Sequence, residues 1–129
     1  MGTTDDNLKI AFADESQTYI EYLAYTQKAI DEGKTEIAQI FREAAGAEAV
    51  HALTHLKAMD VVRSTADNLR ESVEGESLEI MSMYPKFIKE AEAEGRTEAA
   101  ESFRLAYERE KHHRAMFREA LKKLQEPSS

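Results

Sequence analysis

Apolar positions recur along this 129-residue chain in steps of three and four, the spacing that gathers side chains on one face of an α-helix. One stripe runs Ile37, Phe41, Ala44, Glu48, His51, His55, and another runs Ala99, Phe103, Ala106, Glu110, His113, Phe117. A third joins Leu8, Ala11, Glu15, Thr18, Tyr22, Tyr25 and Ala29, and a fourth joins Leu69, Glu76, Glu79 and Met83 or Tyr84. Three breaks separate them. Gly33 and Gly95 can take the left-handed conformation that closes a helix, and each is followed by a basic residue and a Thr that can open the next. Ser64 or Thr65 can cap a helix continuing through Asn68 and Leu69. The pattern predicts four helices, over 5–32, 35–62, 66–94 and 97–125, packed as one all-α bundle domain over 1–129.

The chain repeats itself. Gly-Lys-Thr-Glu-Ile-Ala-Gln-Ile-Phe-Arg from Gly33 matches Gly-Arg-Thr-Glu-Ala-Ala-Glu-Ser-Phe-Arg from Gly95, 62 positions later. The same offset carries Glu48 to Glu110 and His51 to His113, so the second and fourth helices share one Glu-x-x-His motif. Both stripes are apolar until that motif interrupts them. With Glu15, Glu76 and Glu79 from the other two helices, five carboxylates and two imidazoles converge on one interior.

An ionised carboxylate in a core costs several kcal/mol unless it is paired or binds a cation. Neither Lys nor Arg occupies these stripes beside the glutamates, so protein does not supply the counter-charge. Two divalent ions would. The chain has no Cys, which excludes disulfides, thiolate metal sites and a cysteine nucleophile, and leaves oxygen and nitrogen ligands that suit iron or manganese. A Glu from each of two helices and a Glu-x-x-His from each of the other two is the ligand plan of dimetal carboxylate bundles.

Few glycines and prolines interrupt a composition rich in Ala, Glu, Lys, Leu and Arg, as in long helices. A net charge of -8 disfavours nucleic acid, whose binding depends on Lys and Arg. No apolar stretch approaches a membrane span, and residues 1–6 lack the features of a signal peptide, so the expectation is a cytoplasmic protein without a membrane partner.

Some motif residues have plainer readings. A single Glu-x-x-His in so acidic a helical chain is close to chance; two copies at one offset, each breaking an apolar stripe, are not. His55 extends its stripe but its repeat counterpart is Phe117, which favours a packed core histidine over a partner of a ligand. His112 points off the stripe toward solvent. Tyr22 and Tyr84 are either core aromatics or hydroxyls that hold ligand carboxylates. Met81 to Met83 read as packing, and the run from Lys89 to Glu94 as a solvated face.

Together, Ala13-Asp14-Glu15-Ser16-Gln17, Glu48-Ala49-Val50-His51, Glu74-Gly75-Glu76-Ser77-Leu78-Glu79 with Met83-Tyr84-Pro85, and Glu110-Lys111-His112-His113 resemble the di-iron domain of the rubrerythrins. The distinguishing element is Glu76-x-x-Glu79, since ferritins and bacterioferritins lack the carboxylate that Glu79 matches. The resemblance implies a ferritin-like bundle with two iron ions per site, for which manganese or zinc could substitute. It implies Glu48 and Glu110 as bridging ligands, Glu15 and Glu79 on one iron, and Glu76 and His113 on the other. The first iron would move between Glu79 when oxidised and His51 when reduced. Rubrerythrins usually carry a cysteine-rich rubredoxin domain, and this chain ends at Gln125-Glu126-Pro127-Ser128-Ser129 without one, so a separate rubredoxin-like donor is expected. Thr18 stands where a symmetrical variant, symerythrin, has an eighth carboxylate.

Two expectations concern geometry. Glu15 to Tyr22 spans 7 positions and Glu76 to Tyr84 spans 8, although the two tyrosines are repeat counterparts. A π-bulge between Glu76 and Tyr84 would absorb the extra residue. The link between the second and third helices is also too short to run back along a bundle, which predicts helix exchange in a homodimer with shared sites; the alternative is an unwound stretch over 61–67. The function that the resemblance to rubrerythrins implies is a peroxidase reducing hydrogen peroxide to water, in oxidative-stress defence. The alternatives are a ferroxidase or iron-handling protein and a non-enzymatic metal-binding helical module.

Overall fold

The computed structural model describes residues 2–125. It contains helices α1 (Thr3–Asp31), α2 (Thr35–Ala58), α3 (Thr65–Leu78), a π-helical segment (Glu79–Met83), α4 (Tyr84–Ala93) and α5 (Thr97–Gln125). They form two compact units divided at Val62 and Arg63. The first is a hairpin of α1 and α2; the second is a hairpin of α5 against the continuous rod of α3, the π segment and α4. These helical hairpins are the elements of a ferritin-like bundle. Both are antiparallel, as their contacts show: Glu15 meets His51 while Tyr22 meets Phe41, and Glu76 meets His113 while Glu92 meets Arg104.

The repeat is structural as well as sequential. At the first turn Gly33 has φ +74°, Gly33 N–H donates to Ile30 O at 2.9 Å, and Lys34 N–H donates to Ala29 O at 2.8 Å. At the second, Gly95 has φ +70°, Gly95 N–H donates to Glu92 O at 3.1 Å, and Arg96 N–H donates to Ala91 O at 2.8 Å. Both are the paired closure that satisfies the last carbonyls of a helix and needs a left-handed residue. Small residues let the helices approach: Ala29, Ala38, Ala45 and Ala52 are buried in the first hairpin, and Ala91 and Ala100 in the second. Aromatic trios then fill the ends near the turns, Tyr22, Tyr25 and Phe41 in one and Tyr84, Phe87 and Phe103 in the other.

The connection departs from expectation. The second helix stops at Ala58, four residues short of the predicted end, and Asp60 takes φ +55°. Asp is among the few non-glycine residues that tolerate this conformation, so it ends the helix without the glycine that marks the other turns. Beyond it, Ser64 Oγ accepts from Asp67 N–H at 3.1 Å and caps α3, while the Asn68 side chain both accepts from Arg63 N–H at 2.9 Å and donates to Arg63 O at 3.1 Å.

The π segment occupies Glu79–Met83, where the one-residue excess between Glu76 and Tyr84 requires it. Ile80 is its buried residue, while Met81 is 75% exposed. Pro85 follows at the start of α4, where its missing N–H forgoes one helical bond.

A Cβ added at Gly33 or Gly95 would meet nothing within 4 Å, so any cost of Ala there is purely conformational. Gly33→Ala and Gly95→Ala should each lower the urea-unfolding free energy by about 1 kcal/mol, with helicity unchanged. Unaltered stability in both variants would contradict the left-handed closure.

Candidate metal centre

Each hairpin carries its own group of candidate metal ligands. In the first, α1 supplies Glu15 and α2 supplies Glu48 and His51, with ligand atoms within 4.8 Å of one another. His51 Nδ1 lies 3.1 Å from Glu15 Oε1. In the second, Glu76 at the end of α3, Glu79 in the π segment and Glu110 on α5 gather within the same span. His113 Nδ1 stands off at 3.8 Å from Glu76 Oε1. The seven residues singled out in the sequence thus fall into a three-residue set and a four-residue set, one per hairpin.

The local folding that achieves this is visible in the helix register. On α2 and α5, Glu-x-x-His puts both side chains on the face toward the opposing helix. In the second hairpin an extra carboxylate is gained because the π turn lets Glu76 and Glu79 face Glu110 while Tyr84 still reaches Phe103.

The protein itself supplies these carboxylates with little counter-charge. Oε2 of Glu76 and Oε2 of Glu110 are buried and have no hydrogen-bond partner, and the buried Oε2 of Glu15 meets only an imidazole, that of His55. Among the described residues, the basic side chains in ion-pair contact with these carboxylates are histidines alone. Burial pushes the Glu110 carboxyl up from its usual 4.5 to about 8, helped by a hydrogen bond shared with Glu79 and by the charges of Glu79 and Glu76. Burial also raises Tyr84, followed by the charges of Glu110, Glu79 and Glu76, so its hydroxyl stays protonated beside them. Unpartnered buried carboxylate oxygens, imidazole nitrogens and no thiol fit one or more divalent metal ions of the iron, manganese or zinc type.

His55 corrects the sequence reading. Instead of packing as an apolar core residue, its Nε2 abuts Glu15 Oε2, on the opposite side of the carboxylate from His51. The comparison with Phe117 obscured this, although the i, i+4 spacing from His51 was a signal in its favour. His112 is exposed, as expected. The Tyr22 and Tyr84 rings join the aromatic trios, and among the described residues neither hydroxyl hydrogen-bonds a carboxylate. No helix is long and apolar enough to cross a membrane among the described residues.

Two antiparallel helical hairpins, pairing a Glu-x-x-His helix with one glutamate from the opposing helix in the first and two in the second, define the ferritin-like class of helical carboxylate proteins. The rubrerythrin family profile matches residues 6–121. The chain belongs to the rubrerythrin family. A Methanocaldococcus jannaschii protein of the rubrerythrin type is 36% identical over 98% of this chain and 72% of its own length. Rubrerythrin-1 of Clostridium acetobutylicum is 34% identical over 95% of this chain and 72% of its own. Among solved structures, nigerythrin in a mixed-valence state is 28% identical, with a TM-score of 0.50 over 100% of this chain and 70% of that one.

The sign of the Glu110 shift sets a pH dependence for the metal-free protein. Between pH 4.5 and about 8 the folded state keeps a proton that the unfolded chain has released, so this contribution to stability falls as pH rises and levels off above that window. Glu110→Gln should flatten that part of the profile in urea unfolding. Identical profiles for wild type and variant would contradict it.

Proposed function

We propose that this chain is a non-haem di-iron peroxidase that reduces hydrogen peroxide to water, in oxidative-stress defence, with electrons from a separate rubredoxin-like donor. The observation that carries the reading is the second half-site, where Glu76, Glu79 and Glu110 converge with two of their buried oxygens unpartnered. The surplus carboxylate Glu79 separates this set from ferritin-type sites. Family membership and the likeness to nigerythrin support iron as the metal.

In this proposal Glu48 and Glu110 would serve both ions, Glu15 and Glu79 would hold one, and Glu76 and His113 would hold the other. Converting hydrogen peroxide to two waters consumes two electrons and two protons, and two iron ions, when bound, supply the electrons. The chain's own groups hold the protons and set the geometry. Tyr84 Oη, kept protonated by burial and three carboxylates, is a donor beside the site. His51 is 53% exposed, so its imidazole has room to turn, and it would serve as the reduced-state ligand where Glu79 would serve as the oxidised-state one. The absence of Cys means that the donor's redox centre lies outside these 129 residues if it is an iron–sulfur or thiolate type.

The two half-sites are proposed to meet between chains, in a homodimer with shared sites. His51 lies about 10 Å before the end of α2 and Glu76 about 16 Å into α3. If the two helices ran parallel in one bundle, the connection would have to return about 26 Å. Met59 and Asp60 N–H groups still bond α2 carbonyls, so only 61–64 can extend, over at most about 18 Å. Exchange of hairpins between two copies removes that constraint.

Stopped-flow reoxidation of the ferrous protein by hydrogen peroxide and, separately, by dioxygen tests the reaction. Peroxide should react far faster, at two irons per chain, and Glu79→Ala should slow it by about 100-fold while lowering iron content much less. Comparable or faster reaction with dioxygen would instead favour an iron-oxidising role, and equal losses of iron and rate would refute the role given to Glu79.

A further inference from the structure

The two halves of the site are not equivalent, and the difference lies at one position of the repeat. Glu15 is flanked by two imidazoles: His51 Nδ1 at 3.1 Å from Oε1, and His55 Nε2 against Oε2. Its counterpart Glu76 has a single imidazole, His113, at 3.8 Å. Where the first hairpin has His55, the second has Phe117, whose ring packs 6.3 Å from His113. The shape of the hairpin therefore accepts an aromatic hydrocarbon here. Histidine adds only a polar edge, and the structure turns that edge onto a buried carboxylate oxygen that no other donor meets among the described residues.

We infer that His55 is a positioning residue that holds Glu15 in place through an Nε2–H directed at Oε2, and that it does so because His51 has to let go. This assignment rests on the di-iron reading above, in which His51 turns from Glu15 to a metal. When it turns, Oε1 loses its 3.1 Å partner, and a carboxylate without a second anchor would swing. His55 is 30% exposed against 53% for His51, and sits one helical turn further along the same face. It is thus the more enclosed of the two imidazoles and the better placed to stay. In the second hairpin His113 is proposed as a permanent ligand, so Glu76 never loses a partner to an exchange and needs no such anchor. The asymmetry of the repeat then follows the asymmetry of the chemistry: two histidines where one moves, one where none does.

His55→Phe and His55→Gln separate anchoring from packing and from ligation. The first is the residue the repeat itself uses; the second keeps an N–H donor at the position of Nε2. Anaerobic ferrous iron titration should show two ions per chain in wild type. In His55→Phe one of the two should weaken by about 10- to 100-fold, the usual effect of losing a group that orients a ligand. The other should be unchanged, and His55→Gln should restore most of the loss. Equal loss in both variants would make His55 a ligand, and no loss in either would make it a packing residue; each outcome overturns the proposal. A metal-free readout keeps the test independent of the di-iron reading. The His55 Nε2–H proton should exchange slowly in wild type and rapidly in Glu15→Ala by NMR. Rapid exchange in both overturns the anchoring contact even if two irons bind. Slow exchange in wild type with no iron bound would instead overturn the di-iron reading alone.

Discussion

Mutual repulsion among half-buried carboxylates is the constraint around which this chain is built. Glu76, Glu79 and Glu110 converge in one hairpin and Glu15 and Glu48 in the other, yet no Lys or Arg reaches them among the described residues. Without a cation the second cluster favours keeping a proton: desolvation first, then the hydrogen bond and charge of Glu79 and the charge of Glu76, push the Glu110 carboxyl up to about 8. Such an arrangement lowers the stability of the metal-free fold. A divalent cation converts the same groups from a liability into ligands, because it supplies the charge that the protein withholds.

Other features of the fold serve that convergence. The small-residue contacts bring the helices close enough for Glu15 to reach His51 and for Glu76 to approach His113. The two left-handed glycines fix where each hairpin turns, and hence which turn of one helix faces which turn of the other. The π segment rotates Glu79 into the cluster without displacing Tyr84 from its aromatic neighbours. A hairpin nonetheless covers each helix on one side only. Tyr25 and Ile37, both on core-facing stripes, remain 46% and 47% exposed.

Much of this was legible in the residues alone, for identifiable reasons. Helical spacing is a strong signal when stripes are long, and the 62-residue repeat disclosed that the second and fourth helices share a motif. The π segment was readable because counting is robust: one extra residue between two positions that face the same way has to be absorbed somewhere. The end of α2 was not readable, since Asp60 performs the role that glycine signals elsewhere. His55 was misread because its repeat counterpart is apolar, and a repeat argues for sameness where chemistry had introduced a difference. The orphaned carboxylate oxygens depend on side-chain direction and burial, which spacing does not encode.

The most direct measurement is a complementation. One chain would carry Glu15→Ala and Glu48→Ala, the other Glu76→Ala and Glu110→Ala, and differently tagged copies would be refolded together and purified as the mixed species. Hairpins exchanged between chains place both intact halves in one site and both damaged halves in the other. The mixed dimer should therefore bind one full pair of ferrous ions, while neither variant alone binds a pair. A mixed species that binds no iron pair, beside a wild type that does, would contradict a site shared between two chains.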